Sequence, residues 1–160
     1  MTRILGIDPG TGILGFGVID VDKGGKAVLV DGGVIRTPVK EDDAVRLLTI
    51  YEELTDIIEH TKPTIMSVEK LFFARNVTTA MTVSQARGVV LLCGMQAGME
   101  IFEYTPMQIK MAVTGYGKAE KKQIQEMVRV ILGLETVPKP DDCADAIAAA
   151  ITHSMNMRLS

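Results

Sequence analysis

The stretch Ile4 to Ile19, ILGIDPGTGILGFGVI, constrains the fold more than any other part of the chain. An apolar run of strand type ends in the carboxylate of Asp8, breaks at Pro9-Gly10-Thr11-Gly12, and resumes as a second apolar run. Proline and glycine mark a turn there, so two strands meet at an edge where an ionisable group leaves the core. The pattern predicts strands at about 3 to 8, 13 to 21 and 27 to 36, then an amphipathic helix from about 43 to 60. Val45, Leu48, Ile50, Leu54, Ile57 and Ile58 would form its buried face. Thr64 to Glu69 reads as a fourth strand, short and apolar, again ending in a carboxylate. A helix from about 78 to 97, a strand at Ile101 to Tyr104, and helices at about 106 to 113, 119 to 132 and 141 to 157 complete the pattern. Thr105-Pro106 suits an N-cap and a first helical position. Three strands followed by alternating helices and strands predict an α/β fold, one mixed five-stranded sheet with helices on both faces.

Composition narrows the function classes. At 160 residues and 47% hydrophobic content the chain can bury one substantial core, which predicts a single domain over 1–160. The start MTRILGIDPG has no secretory apolar stretch, and uncharged runs such as Gly88 to Gly98 fall short of the ~18 residues of a membrane span. A soluble cytoplasmic protein with no membrane partner is expected. Cys93 and Cys143 lie in apolar surroundings without CxxC spacing and read as buried thiols. The net charge of −3 hides an uneven distribution. Glu41 to His60 carries seven acids against Arg46 alone, whereas Lys70 to Gly98 holds Lys70, Arg75 and Arg87 with no acid. From Thr105 to Val130, Lys110, Lys118, Lys121, Lys122 and Arg129 face only Glu120 and Glu126. Two basic stretches keep a nucleic-acid partner open.

The carboxylates carry the chemistry. If the first and fourth strands lie side by side and parallel, Asp8 and Glu69 emerge at the same sheet edge, where open α/β sheets gather their ligands. The segment PDDCADAIAAAITH adds Asp142 and Asp145, three residues apart on one helix face. Acids that close repel one another unless a cation intervenes, and hard oxygen donors suit Mg²⁺ or Mn²⁺. Each residue also has a plainer reading. Asp8 could organise a turn, Glu69 could pair with Lys70 or Arg75, and Asp141 after Pro140 reads as a helix N-cap. Asp145 is followed by AIAAAI, and an acid on so apolar a helix needs a partner. His153 lies eleven residues, about 16 Å of helix, beyond Asp142 and cannot share an ion with it, so it reads as structural, and the other histidine, His60, ends the acidic helix.

Taken together and in order, GIDPGTGILGFGVI, SVEKLFFARN, SQARGV, EYTPMQIK with GYGKAEK, and DDCADAIAAAITH resemble the RuvC family of Holliday junction resolvases over nearly the whole chain. The resemblance implies a ribonuclease H-like nuclease fold, a homodimer, and Mg²⁺-dependent cleavage of four-way DNA junctions in bacterial recombination and repair, with Mn²⁺ substituting. It also implies two ions per active site, a nucleoid-associated cytoplasmic location and a branch-migration complex (RuvA/RuvB) as partner. Four catalytic and metal-binding acids carry over to Asp8, Glu69, Asp142 and Asp145, alignment on ADAIAAAITH favouring Asp142 over Asp141. Hydrolysis would leave a 5′ phosphate and a 3′ hydroxyl.

Other residues follow the same resemblance. Phe72 and Phe73 are adjacent in a chain with only 4% aromatic residues, and neighbours in an extended segment point to opposite sides. Both rings could be buried, or one could enter the core while the other faces DNA; the resemblance makes Phe72 the wedge against unstacked bases, and Phe73 beside it is a further expected DNA-binding residue. Arg75, Lys110, Lys118, Lys121 and Lys122 become DNA contacts, although a lysine run alone is also an ordinary solvated helix face. The helix at about 77 to 97 is apolar on too many sides for one buried stripe, with Val77, Met81, Val83, Val89, Val90, Leu91, Leu92 and Met95 around it. Gly88, Gly94 and Gly98 would let a twin helix approach, although the centre of a monomer is an equal reading from the residues alone. An actin-like or sugar-kinase phosphate loop shares the Asp-x-Gly-Thr turn but needs far more chain. The remaining alternative is a catalytically weak junction-binding module or an RNA-processing relative of the same fold.

Overall fold

β1 (Thr2–Asp8), β2 (Ile13–Val21) and β3 (Ala27–Arg36) form an antiparallel meander, with Asp8 opposite Gly15 and Ile13 opposite Arg36. The chain then crosses through helix α1 (Asp43–Thr61) to β4 (Ile65–Glu69), which pairs parallel to β1. Helix α2 (Val77–Gln96) leads to β5 (Glu100–Tyr104), parallel to β4, and the order across the sheet is β3-β2-β1-β4-β5. Helices α3 (Pro106–Thr114), α4 (Lys121–Leu132) and α5 (Asp141–Met157) follow. This computed structural model describes residues 1–70 and 77–158. Among the described residues no helix is long and apolar enough to cross a membrane.

Two cores flank the sheet. On one face α5 lies across β1, β2 and β4, with α3 and α4 packed against it around Ile4, Ile19, Ile147 and Ile151. On the other, α1 and α2 cover Leu5, Ile7, Leu14, Val18, Met66 and Val68. Alternate residues of each strand therefore serve different cores, as the two-residue period requires.

The sheet, the helices on both faces and the element order are those expected, with three local differences. Along α1 the buried column is Ile50, Leu54, Ile58 and Thr61, whereas Val45 and Leu48 are exposed, 43% and 54%. Val45 lies about half a turn and Leu48 about a third of a turn from that column, so both face solvent. Helix α4 starts at Lys121 because Glu120 closes its first turn in a capping box with Gln123. On α2, Gly94 belongs to the core: a Cβ there would press on Met66 and Ile101 at 3.0 Å, so it does not await a twin helix. Gly88 has open space beside it, and Gly98, at φ +70, ends the helix. Thr105 caps α3 ahead of Pro106, as the dipeptide suggests. Cys93 and Cys143 are buried and unpaired.

Candidate active site

The register of β1 and β4 runs from Ile4↔Ile65 to Ile7↔Val68, so Asp8 and Glu69 follow as neighbours at the carboxyl edge. Both turn toward α5. Gly6, two residues before Asp8, lies so close to that helix that a Cβ would collide with the Ala146 carbonyl. Ser67, two residues before Glu69, donates its hydroxyl to the Ala149 carbonyl at 2.6 Å. The first turn of α5 brings in the other two acids. Gly15, opposite Asp8 in the β1–β2 pair, supports the Asp142 backbone so closely that a side chain there would occupy the place of its carbonyl oxygen. One helical turn on, Asp145 faces the same edge.

Crowding shows in the electrostatics. Burial, then the neighbouring charge of Glu69 and a hydrogen bond with it, and more weakly Asp145 and Asp142, push the Asp8 carboxyl up to about 9. Burial also raises Glu69, and the Asp145 charge adds to the effect, against the hydrogen bond from Asp8 and the attraction of Lys121 and Lys110. Asp145 is raised by burial too, while Lys121 pulls it back. The Lys121 ammonium lies 3.3 Å from Asp145 Oδ2 and 3.7 Å from Asp141 Oδ2. Burial works against that ammonium, but these carboxylates hold its proton more firmly than usual. A cavity of about 300 Å³ opens beside the acids, bordered by Glu69, Asp145, Lys110 and Lys121 with Pro106 and Ile124 as its apolar wall.

Among the described residues no group of three or more acid, histidine or cysteine side chains is arranged to hold a metal ion. The donor set nonetheless suits a hard divalent cation. Its donors are oxygen, and like charges raise one another's proton affinity at the centre, so a cation would displace the protons that now hold Asp8 and Glu69 together.

Residues 4–153 match the family model described as crossover junction endodeoxyribonuclease RuvC. A protein of that name from Heliobacterium modesticaldum is 55% identical over 154 residues, covering 95% of this chain and 94% of the relative. One from Brevibacillus brevis is 56% identical over 152 residues, 95% of this chain and 91% of its own. The chain belongs to the RuvC family. A solved structure, T. thermophilus RuvC in complex with Holliday junction substrate, superposes with a TM-score of 0.94 at 38% identity, covering 99% of this chain and 96% of that one.

Within this RuvC-family fold the expected site residues separate into groups. Asp8, Glu69, Asp142 and Asp145 come to one edge; Lys110 and Lys121 border the cavity there. Lys118 and Lys122 are exposed near the start of α4. Phe72, Phe73 and Arg75 lie outside the described residues. Asp141 is not the N-cap of α5, because Pro140 holds that position in extended conformation; Asp141 is the first helical residue and is exposed toward Lys121. His153 stays away from the acids, buried with Nδ1 2.7 Å from the Tyr104 hydroxyl and its ring 4.1 Å from that of Phe102. Sequence reasoning missed the supports of the site, Gly6, Gly15 and Ser67. Their signal was the alternation of Gly15 and Gly17 along β2, which leaves one strand face bare for a helix.

Proposed function

We propose that this chain resolves four-way DNA junctions as a RuvC-family crossover junction endodeoxyribonuclease, with Asp8, Glu69, Asp142 and Asp145 as its catalytic and metal-binding residues. The observation that supports this most is the convergence of the four acids on the β1–β4 edge through strand pairing and the seating of α5 on Gly15. Water attacks the scissile phosphorus, the bond to the 3′ oxygen breaks, and the departing oxygen takes a proton, leaving a 5′ phosphate and a 3′ hydroxyl. Bound Mg²⁺, two ions in this reading and replaceable by Mn²⁺, would supply Lewis acidity for activating the water and stabilising the leaving oxygen. The protein supplies placement. Asp8 and Glu69 extend from the sheet edge and Asp142 and Asp145 from a helix seated closely on it, and these four carboxylates would hold the ions. Lys121 exchanges its ion pairs with Asp145 and Asp141 for DNA phosphate, with Lys110, Lys118, Lys122 and Arg75 as further contacts. Phe72 serves as the wedge at the crossover, with Phe73 beside it in the sequence as a further DNA-binding residue.

Two symmetric nicks need two sites. The face of α2 with Val77, Met81, Leu92 and Met95 at 72%, 62%, 51% and 67% exposure, and Gly88 open between them, supports a homodimer. A bacterial cytoplasmic setting and a branch-migration complex (RuvA/RuvB) as partner rest on the family likeness. The reading is tested with Asp8→Asn, Glu69→Gln, Asp142→Asn and Asp145→Asn, each assayed for cleavage and binding of a four-way junction. All four are expected to lose cleavage and keep binding, while Asp141→Asn keeps both. Near wild-type cutting by any of the four removes that residue from the site.

A further inference from the structure

We propose that Arg46 is a DNA phosphate-binding residue beside the Asp8 turn, on the opposite face of the sheet from the lysines; this rests on the junction-nuclease reading above. Arg46 is the only base between Glu41 and His60, a segment with seven acids. It follows Asp42 and Asp43 at the spacing that favours an ion pair on a helix. Among the described residues it forms none. Its side chain instead bends to the sheet edge, where Nε donates to the Thr37 hydroxyl at 3.0 Å. Thr37 in turn donates its hydroxyl to the Thr11 carbonyl and its backbone N–H to the Gly12 carbonyl, the latter at 3.0 Å. The guanidinium lies along Gly12, where a Cβ would stand 3.3 Å from Nη2. Glycine leaves that approach uncovered.

The result is a guanidinium fixed through Nε, half-buried, and without an acceptor for Nη1 or Nη2 among the described residues. A clasp for the turn would need a single donor. A planar, permanently charged fork with two free nitrogens matches two oxygens of one phosphate. Its place in the fold fits that ligand. Arg46 opens α1 just after β3 reaches the carboxyl edge, and the turn it covers begins at Asp8. Lys110 and Lys121 border Glu69 and Asp145 from the α3 and α4 side. A strand laid across the edge thus meets positive charge on both sides of the acids. The phosphate at Arg46 is therefore a neighbour of the one being cut.

The test uses the full chain on a four-way junction with EDTA present, so that no strand is cut. Arg46→Gln is expected to bind about tenfold more weakly and to flatten the plot of log affinity against log salt by about 0.9, with the melting midpoint of the free protein unchanged. Methylphosphonates are then placed one at a time around the cleavage point. One position beside the cut should cost the wild type affinity, cost Arg46→Gln nothing, and still cost Lys121→Ala. An unchanged salt slope, or a methylphosphonate profile identical to wild type, overturns the proposal. If Arg46→Gln does not fold, modification of wild-type Arg46 by phenylglyoxal, read by mass spectrometry, takes its place. Protection by saturating junction supports the contact, and equal reactivity with and without DNA refutes it. A wild type that binds junction no better than linear duplex would overturn the junction reading alone, since the Arg46 contact is then read on duplex.

Discussion

Asp8 is held in the folded protein at a cost to stability. Its carboxyl, at about 9, keeps a proton that the unfolded chain releases near its ordinary value of 3.8. Between those limits the folded state binds more protons than the unfolded one, so this contribution to stability is full below about pH 4 and is lost as pH rises toward 9. Asp8→Asn is expected to raise the melting temperature of the metal-free protein by a few degrees at pH 8, about 1–2 kcal/mol, with a gain that shrinks toward pH 5. Thermal unfolding in EDTA across that range checks this; a variant less stable than wild type at pH 8 would contradict it. At this scale the sequence was partly legible. Asp8 and Glu69 each close an apolar run, which marks the end of a strand, and Asp142 and Asp145 share a helical face. The start of α5 at 141 was legible, but not that Pro140 takes the N-cap position and leaves Asp141 as the first helical residue beside Lys121. Nor was Arg46, whose partner Thr37 lies across a turn from it.

The element that sets the site geometry is α5 on its glycine bed. Gly6, Gly15 and Gly17 present bare backbone to Ala146, Asp142 and Ile147, and the helix descends until carbonyl and Cα atoms touch. Gly15→Ala would lift the first turn of α5, which carries Asp142, by its one added methyl group. The expected cost is about 1–3 kcal/mol in stability and about 100-fold in cleavage rate, as for other small misplacements of catalytic groups. Junction binding at low temperature should persist. Wild-type cleavage by a folded Gly15→Ala chain would show that the acids do not depend on this seat. The strands and helices themselves were readable from period and caps. The depth of α5 was not, because a glycine in a strand signals either a bulge or a close approach and only the partner decides which. The face assigned to α1 was drawn too wide: Val45 and Leu48 have the right chemistry, but they lie on the side of the helix away from Ile50, Leu54 and Ile58 and are exposed, while Leu47 between them packs on the core.

Across the whole molecule, the proposed homodimer would pair two active sites through a surface that a single chain leaves bare. The exposed α2 residues Met81 and Leu92 contribute little to either core. Leu92→Glu is expected to leave the melting temperature nearly unchanged while shifting sedimentation from dimer to monomer, and to replace paired nicks by single ones. A monomeric wild type would contradict this. The most direct test of the central claim is cleavage of a mobile four-way junction by the wild-type chain with Mg²⁺, with the ends mapped on all four strands and a linear duplex of the same sequence alongside. The account predicts nicks at symmetric positions on two opposed strands, ends that a ligase rejoins, and no cutting of the duplex. An intact junction, or a duplex cut as readily, would contradict it.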